Sequence, residues 1–104
     1  MWAFKEGDLL TIQPKKRISA VLAEWYTKTM RARIEEYAPQ TCILDFSQVD
    51  ILNELGIDII LNVLHTMEER NGTLLICGLQ EQPLKVFLES EISKKVEITE
   101  KMSK

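Results

Sequence analysis

Residues 41–78 read "TCILDFSQVDILNELGIDIILNVLHTMEERNGTLLICG", and the reading of this stretch decides the fold class. It opens with Thr41 to Phe46, a nearly continuous apolar run of strand formers closed by an acid. A run this short, without polar alternation, is the pattern of a strand buried on both faces of a parallel sheet. From Glu54 to about Arg70 the period changes. Glu54, Asp58, Asn62, His65 and Glu69 step by four, four, three and four residues, so a helix gathers them into one narrow solvent stripe. Leu55, Ile59, Ile60, Val63, Leu64 and Met67 then lie largely on the buried side. Asn71-Gly72 ends the helix, and Thr73 to Gly78 forms a second buried strand.

Outward from this unit, "MWAF" and "LLTIQP" flank the turn "KEGD" and predict a hairpin whose second strand stops at Pro14. Ser19 is placed to cap a helix from about Ala20 to Tyr37. On it Val21, Leu22, Trp25, Met30 and Ile34 are expected near one face as core. Pro83 is expected to open a third helix carrying Leu84, Phe87 and Leu88, and Lys95 to Ile98 to form a last short strand. The tail "TEKMSK" reads as a frayed end or a short terminal helix. The order ββαβαβαβ predicts an α/β fold, a mostly parallel mixed sheet with an N-terminal hairpin and helices packed on it. Neither a repeat nor a linker divides residues 1–104, so one domain is expected, long enough to bury about two thirds of the surface of its unfolded chain.

With 16 acidic and 13 basic side chains the formal charge is -3, which argues against a binder of nucleic-acid phosphates. The one basic cluster, Lys15-Lys16-Arg17, reads as a solvated loop. No apolar run approaches the roughly 20 residues that span a bilayer, and "MWAFKEGD" lacks the features of a secretory leader. Membrane insertion is not expected, and the expected location is the cytoplasm. Cys42 and Cys77 stand alone in apolar runs, without the spacing of a redox motif or a zinc site. Cys42 is near the start of its strand and Cys77 near the end of its own. In parallel neighbours that offset is about three residues, roughly 10 Å, so two buried, reduced thiols are expected.

Chemistry-bearing motifs are few. No glycine-rich phosphate loop follows a strand, which excludes nucleotide binding by those motifs. His65, the single histidine, sits in mid-helix on the polar stripe and is read as solvated, pairing loosely with Glu69. Asp45, Asp50 and Glu54 converge toward the carboxyl edge of the expected sheet, where such sheets bind ligands. A hard cation could use three carboxylates there, which frames one alternative, a receiver-like or metal-dependent domain. The structural reading is that Asp45 accepts loop N–H bonds, Asp50 is solvated and Glu54 favours a helix N-terminus. A receiver also needs an acid pair after its first strand, and "TIQP" supplies none.

With these residues in view, the chain resembles the STAS domain family, whose best-known members are bacterial anti-sigma factor antagonists. In that family a hydrophobic strand ends in Asp-Leu-Ser/Thr, followed by a valine, an aliphatic residue and an Asp-Ser-x-Gly that opens a helix. Here Asp45-Phe46-Ser47, Val49, Leu52 and Asn53-Glu54-Leu55-Gly56 fall in the same order and spacing. The likeness continues through the Gly72 turn into "TLLICGL" and on to "PLKVFLESEISKKVEI", where Glu91 replaces the glycine of a Ser-Gly-Leu motif.

The resemblance implies a STAS-type fold and a non-enzymatic role in protein recognition, without catalytic residues, cofactor or metal. Its implied partner is a GHKL-type kinase that is also an anti-sigma factor or, for a subunit regulating a transporter, an ATPase subunit. The residues implied in partner binding are Ser47, Asp50, Asn53, Glu54, Leu55, Gly56, Asp58, Asn62 and His65. In relatives, phosphorylation of the motif serine shuts off binding; that serine corresponds by position to Glu54, and the aspartate before it to Asn53. Phosphoserine carries about -1.5 to -2 charges and three acceptor oxygens, whereas Glu54 supplies a single charge on a longer stem. Switching at this position is therefore expected to be lost or mimicked.

Overall fold

The computed structural model describes residues 2–18 and 20–99. The helix cap expected at Ser19 and the tail from residue 100 onward lie outside the described residues. Strands β1 (Trp2–Glu6) and β2 (Leu9–Gln13) form the expected hairpin. Gly7 takes φ 62 at the first of the two turn positions and Asp8 has no positive φ, the pattern of a II′ turn, which suits the twist of the flanking strands. A two-residue strand β3 (Lys16–Arg17) precedes helix α1 (Ala20–Tyr37). Then come β4 (Thr41–Asp45), a three-residue strand β5 (Val49–Ile51) and helix α2 (Glu54–Glu69). The chain continues through β6 (Thr73–Cys77), α3 (Glu81–Glu89), a 3-10 helix (Glu91–Lys94) and β7 (Glu97–Ile98).

Among the described residues five strands make the main sheet in the order β1-β2-β4-β6-β7, antiparallel at the hairpin and parallel elsewhere. The mixed sheet of the expectation is therefore present. Its register places Leu10 beside Cys42 and Leu74, and Ile12 beside Leu44, which pairs with Ile76. These residues belong to one core with Tyr26, Met30 and Ile34 of α1, five residues of α2 (Ile59, Ile60, Val63, Leu64, Met67) and Phe87 of α3. The α-helices α1, α2 and α3 thus pack on one face. The intervening residues Thr11, Ile43 and Leu75 point to the other face, where Ile43 is buried but outside that core. Strand β4 is enclosed on both sides, as expected, although among the described residues helices cover only one of them.

Two short strands were not legible in the sequence. Lys16 and Arg17, expected as a solvated loop, are exposed but pair in parallel with Val49 and Ile51. The helix start at Pro83 also shifts: α3 begins at Glu81, and Pro83 sits inside its first turn, where N–H groups have no intrahelical partner. Of the apolar residues it carries, Phe87 is buried and Leu88 exposed.

Helix α1 corrects a larger expectation. Tyr26, Met30 and Ile34 are buried, while Val21, Leu22 and Trp25 are 87%, 41% and 49% exposed. Met30 follows Val21 by nine residues, about two and a half turns at 3.6 residues per turn, so the two point to opposite sides of the helix.

Helix α2 ends at the expected Asn71-Gly72 signal. Asn71, not Gly72, takes the left-handed φ of 59. Gly72 N–H donates to Met67 C=O at 2.8 Å and Asn71 N–H to Glu68 C=O at 3.0 Å, the paired bonds of a Schellman motif. Glycine is needed at 72 for space, because a Cβ there would lie 2.6 Å from Met67 Cε and 2.9 Å from the Gln40 carbonyl.

Cys42 pairs with Leu74, and Cys77 with Asp45, so the thiols are offset by three residues on adjacent strands and form no disulfide. Burial pushes the Cys42 thiol up to about 12, which keeps it neutral and unreactive at ordinary pH.

Candidate functional site

Because β2, β4 and β6 are parallel, the segments that follow them emerge at one edge of the sheet. The loop after β4, residues 46–53, crosses this edge and delivers the chain to the start of α2. It is pinned at its root by Asp45, which is buried at 6% exposure. Ser47 N–H donates to Asp45 Oδ1 at 2.9 Å, and Gln13 Nε2 donates to Asp45 Oδ2 at 3.1 Å. Gly78 follows β6 with φ 73 and leaves room for this turn, since a Cβ would lie 2.8 Å from both Asp45 Oδ1 and Ser47 N.

Further along, the loop is held from two sides. Lys16 N–H donates to the Gln48 carbonyl at 2.6 Å. From the other side, Gln80 Nε2 donates to the Ser47 and Val49 carbonyls, both at 3.0 Å. Gln82 closes a two-bond clamp on Leu52, accepting from its N–H at 2.8 Å and donating to its C=O at 3.1 Å. Polar backbone that would otherwise be loose is thereby satisfied by side chains of the neighbouring helix start.

Asn53 ends the loop as the N-cap of α2, with extended backbone and its Oδ1 accepting from Gly56 N–H at 3.0 Å. Its Nδ2 donates to the Ile18 carbonyl at 3.3 Å, tying the segment before α1 to the start of α2. Gly56 is buried, and a Cβ there would collide with Leu52 Cδ1. Glycine lets Leu52 fold under the first turn. Glu54, the first helical residue, is left exposed at the positive end of the helix dipole. An open cleft of about 400 Å³ runs from it toward α3, lined by Glu54, Ile57, Asp58, Val86, Glu89 and Ser90.

The family model for the STAS domain matches residues 4–104. The chain belongs to the STAS domain family. Among solved structures, it is similar to a putative anti-sigma factor antagonist from Thermotoga maritima, with TM-score 0.83 and 17% identity over 96% of this chain and 85% of that one. It is also similar to the phosphorylated form of the Bacillus cell fate determinant SpoIIAA, with TM-score 0.76 and 14% identity over 98% of this chain and 91% of that one. A third is a Moorella thermoacetica RsbS carrying a serine-to-glutamate substitution, with TM-score 0.80 and 10% identity over 96% and 86% of the two chains. No curated protein matches the chain.

Within this STAS domain the residues singled out from the sequence fall into three groups. Asp50, Asn53, Glu54, Asp58, Asn62 and His65 are exposed, and the stripe on α2 is as its spacing predicts. Ser47 is half-buried and hydrogen-bonded through its backbone, and Leu55 is half-buried. Gly56 is buried and structural. The cluster Asp45, Asp50 and Glu54 is not assembled as a cation site. Asp45 is engaged by Ser47 and Gln13, and no group of three acids, histidines or cysteines able to hold a metal occurs among the described residues. His65 makes no ion pair with Glu69 among the described residues, a solvated side chain gaining little from such a contact.

Gln13, Gln80 and Gln82, which position the loop, were not singled out from the sequence. "QEQP" at a helix start carries no signal of partners some 30 residues away. The shared edge brings them together.

Proposed function

We propose that this STAS domain, comprising residues 1–104 as one unit, is a non-enzymatic protein-binding regulator of the anti-sigma factor antagonist type, acting in the cytoplasm. Its contact surface is the Phe46–Glu54 loop with Ser47, Asp50 and Asn53, continued by Glu54, Leu55, Gly56, Asp58, Asn62 and His65. The partner is a GHKL-type anti-sigma factor kinase. The carrying observation is the presentation of Glu54. An exposed carboxylate stands at the first position of α2, behind an Asn53 cap and a loop clamped by Gln80 and Gln82. A surface held this firmly loses little conformational freedom when a partner docks. The cleft beside it, with Glu54, Asp58 and Glu89 around Ile57 and Val86, suits a basic side chain with an apolar stem.

Glu54 holds a permanent negative charge where relatives carry a switchable serine, so the charge at this position is fixed. Membrane insertion is no part of the proposal, and no helix among the described residues is long and apolar enough to cross a membrane. The test is calorimetric titration of the purified GHKL kinase of the same organism with the wild type, Glu54→Gln and Glu54→Ser. Glu54→Ser is expected to bind more tightly and to become a phosphoryl acceptor in the presence of ATP. Equal affinity of all three would show that the charge is not read. Loss of kinase binding altogether, with recovery of an ATPase subunit, would move the protein to the transporter-regulating branch of the family.

A further inference from the structure

The edge of the main sheet farthest from the α3 side is β1, and among the described residues no strand pairs with its outer side. Glu6 and Leu9 flank the two-residue turn at Gly7-Asp8, so they form the hydrogen-bonded pair that closes the hairpin. Alternation then makes Phe4 with Thr11, and Trp2 with Gln13, hydrogen-bonded pairs as well. The backbone N–H and C=O groups of Ala3 and Lys5 point the opposite way, out of the sheet. On the helix-free face, Trp2 and Phe4 are each 47% exposed and stack on one another, with ring centroids 5.6 Å apart and planes 6° from parallel. No proline or bulge interrupts this strand, and such an edge is a template for another strand. The opposite edge, β7, has only two residues.

We propose that β1 pairs antiparallel with β1 of a second copy of this chain, joining two sheets into one about a two-fold axis through Phe4. The occupant follows from self-complementarity. Opposed residues must share a face, and outward-pointing residues must meet one another, which leaves three symmetric registers within the strand. Centring on Lys5 sets two ammonium groups directly opposite, a destabilising pair. Centring on Ala3 gives one hydrogen-bonded pair within the described residues. Centring on Phe4 gives two, because Ala3 of each copy meets Lys5 of the other, for four backbone hydrogen bonds.

In that register no like charges oppose. Trp2 faces Glu6 of the second copy, and the two Phe4 rings meet at the close, non-hydrogen-bonded position. With Trp2 already stacked on Phe4, the seam carries a row of four aromatic rings. Lys5, a residue type that often guards sheet edges, here selects the register. Four half-exposed rings, each burying about 150–250 Å² when fully enclosed, hide on the order of 400 Å². With the strand backbone the total stays below the ~1,200 Å² of a standard interface, so the dimer is a weak one that dissociates in the micromolar to millimolar range. The proposal is independent of the partner surface on α2.

Sedimentation velocity of the intact chain, from micromolar to millimolar protein, tests it. The wild type is expected to show a concentration-dependent monomer–dimer equilibrium. Ala3→Pro removes an outward N–H while sparing the hairpin bonds, and Phe4→Glu sets two acids on the axis. Each is expected to weaken dimerisation by about tenfold or more. Trp25→Ser, on the exposed part of α1, is expected to leave it unchanged. A wild type that stays monomeric throughout, a dimer indifferent to both β1 variants, or one dissolved by Trp25→Ser overturns the proposal. Amide exchange of the wild type needs no variant to fold. Ala3 and Lys5 amides are expected to slow as concentration rises, and concentration-independent exchange at both overturns the proposal equally.

Discussion

Helices α1 and α2 are similar in length and pack on the same face of the sheet, yet they are held there differently. Five large apolar side chains of α2 enter the core, and its entry loop is fastened by a cap, a buried aspartate and two glutamines. Helix α1 contributes Tyr26, Met30 and Ile34, leaves Val21, Leu22 and Trp25 to solvent, and is entered through contacts such as Lys15 N–H to Tyr26 Oη at 3.4 Å. The difference teaches where stability and function separate. The strongly packed, clamped helix can present a charged residue at its tip in a fixed position. The other adjusts its apolar residues to what the sheet leaves uncovered.

The contrast is broken most severely from the α2 side. Ile60 is fully buried, and Ile60→Ala is expected to cost about 3 kcal/mol, read as a lowered urea midpoint with unchanged slope. A loss below about 1 kcal/mol would mean that α2 is not the better anchored helix. Gln82→Ala removes both bonds to Leu52 and is expected to cost about 1–2 kcal/mol. It should also accelerate amide exchange through residues 47–52 while leaving α1 amides unaffected.

Beneath the helices, Cys42 gives a pH signature. Its thiol is raised from 9.0 to about 12 by burial, so the unfolded chain ionises there first. Stability owed to the neutral thiol is complete below pH 9 and falls between the two values. The wild type is expected to lose about 1 kcal/mol more than Cys42→Ala for each pH unit across that window, in parallel denaturation series. The smallest effect is expected on α1, where Trp25→Ser should change stability by no more than about 0.5 kcal/mol. A larger destabilisation would place Trp25 in the core that its spacing first suggested.

The two helices also mark the limit of what the chain discloses when read alone. In α2 the polar positions repeat at helical spacing, and each of Glu54, Asp58, Asn62, His65 and Glu69 is exposed. In α1 apolar residues occupy more than half the circumference, so hydrophobicity alone does not choose the buried arc. The candidate site divides likewise. Asn53, Glu54 and Gly56 are adjacent in sequence, and their order carries the family resemblance. Gln13, Gln80, Gln82 and Lys16 reach the same loop from other elements and have no local pattern to announce them.

By itself, then, the sequence determined the alternation of strands and helices, the hairpin, the solvent stripe of α2 and the motif that places Glu54 at a helix start. Each is written in spacings of two to four residues, the reach of local backbone geometry. Tertiary structure alone decided that α1, α2 and α3 cover the same sheet face, that α1 turns Val21, Leu22 and Trp25 outward, and that glutamines from two other elements lock the loop after β4. Those outcomes depend on which surfaces meet after the strands align, and the pairing of residues some 30 positions apart is fixed only when the sheet brings their backbones to one edge.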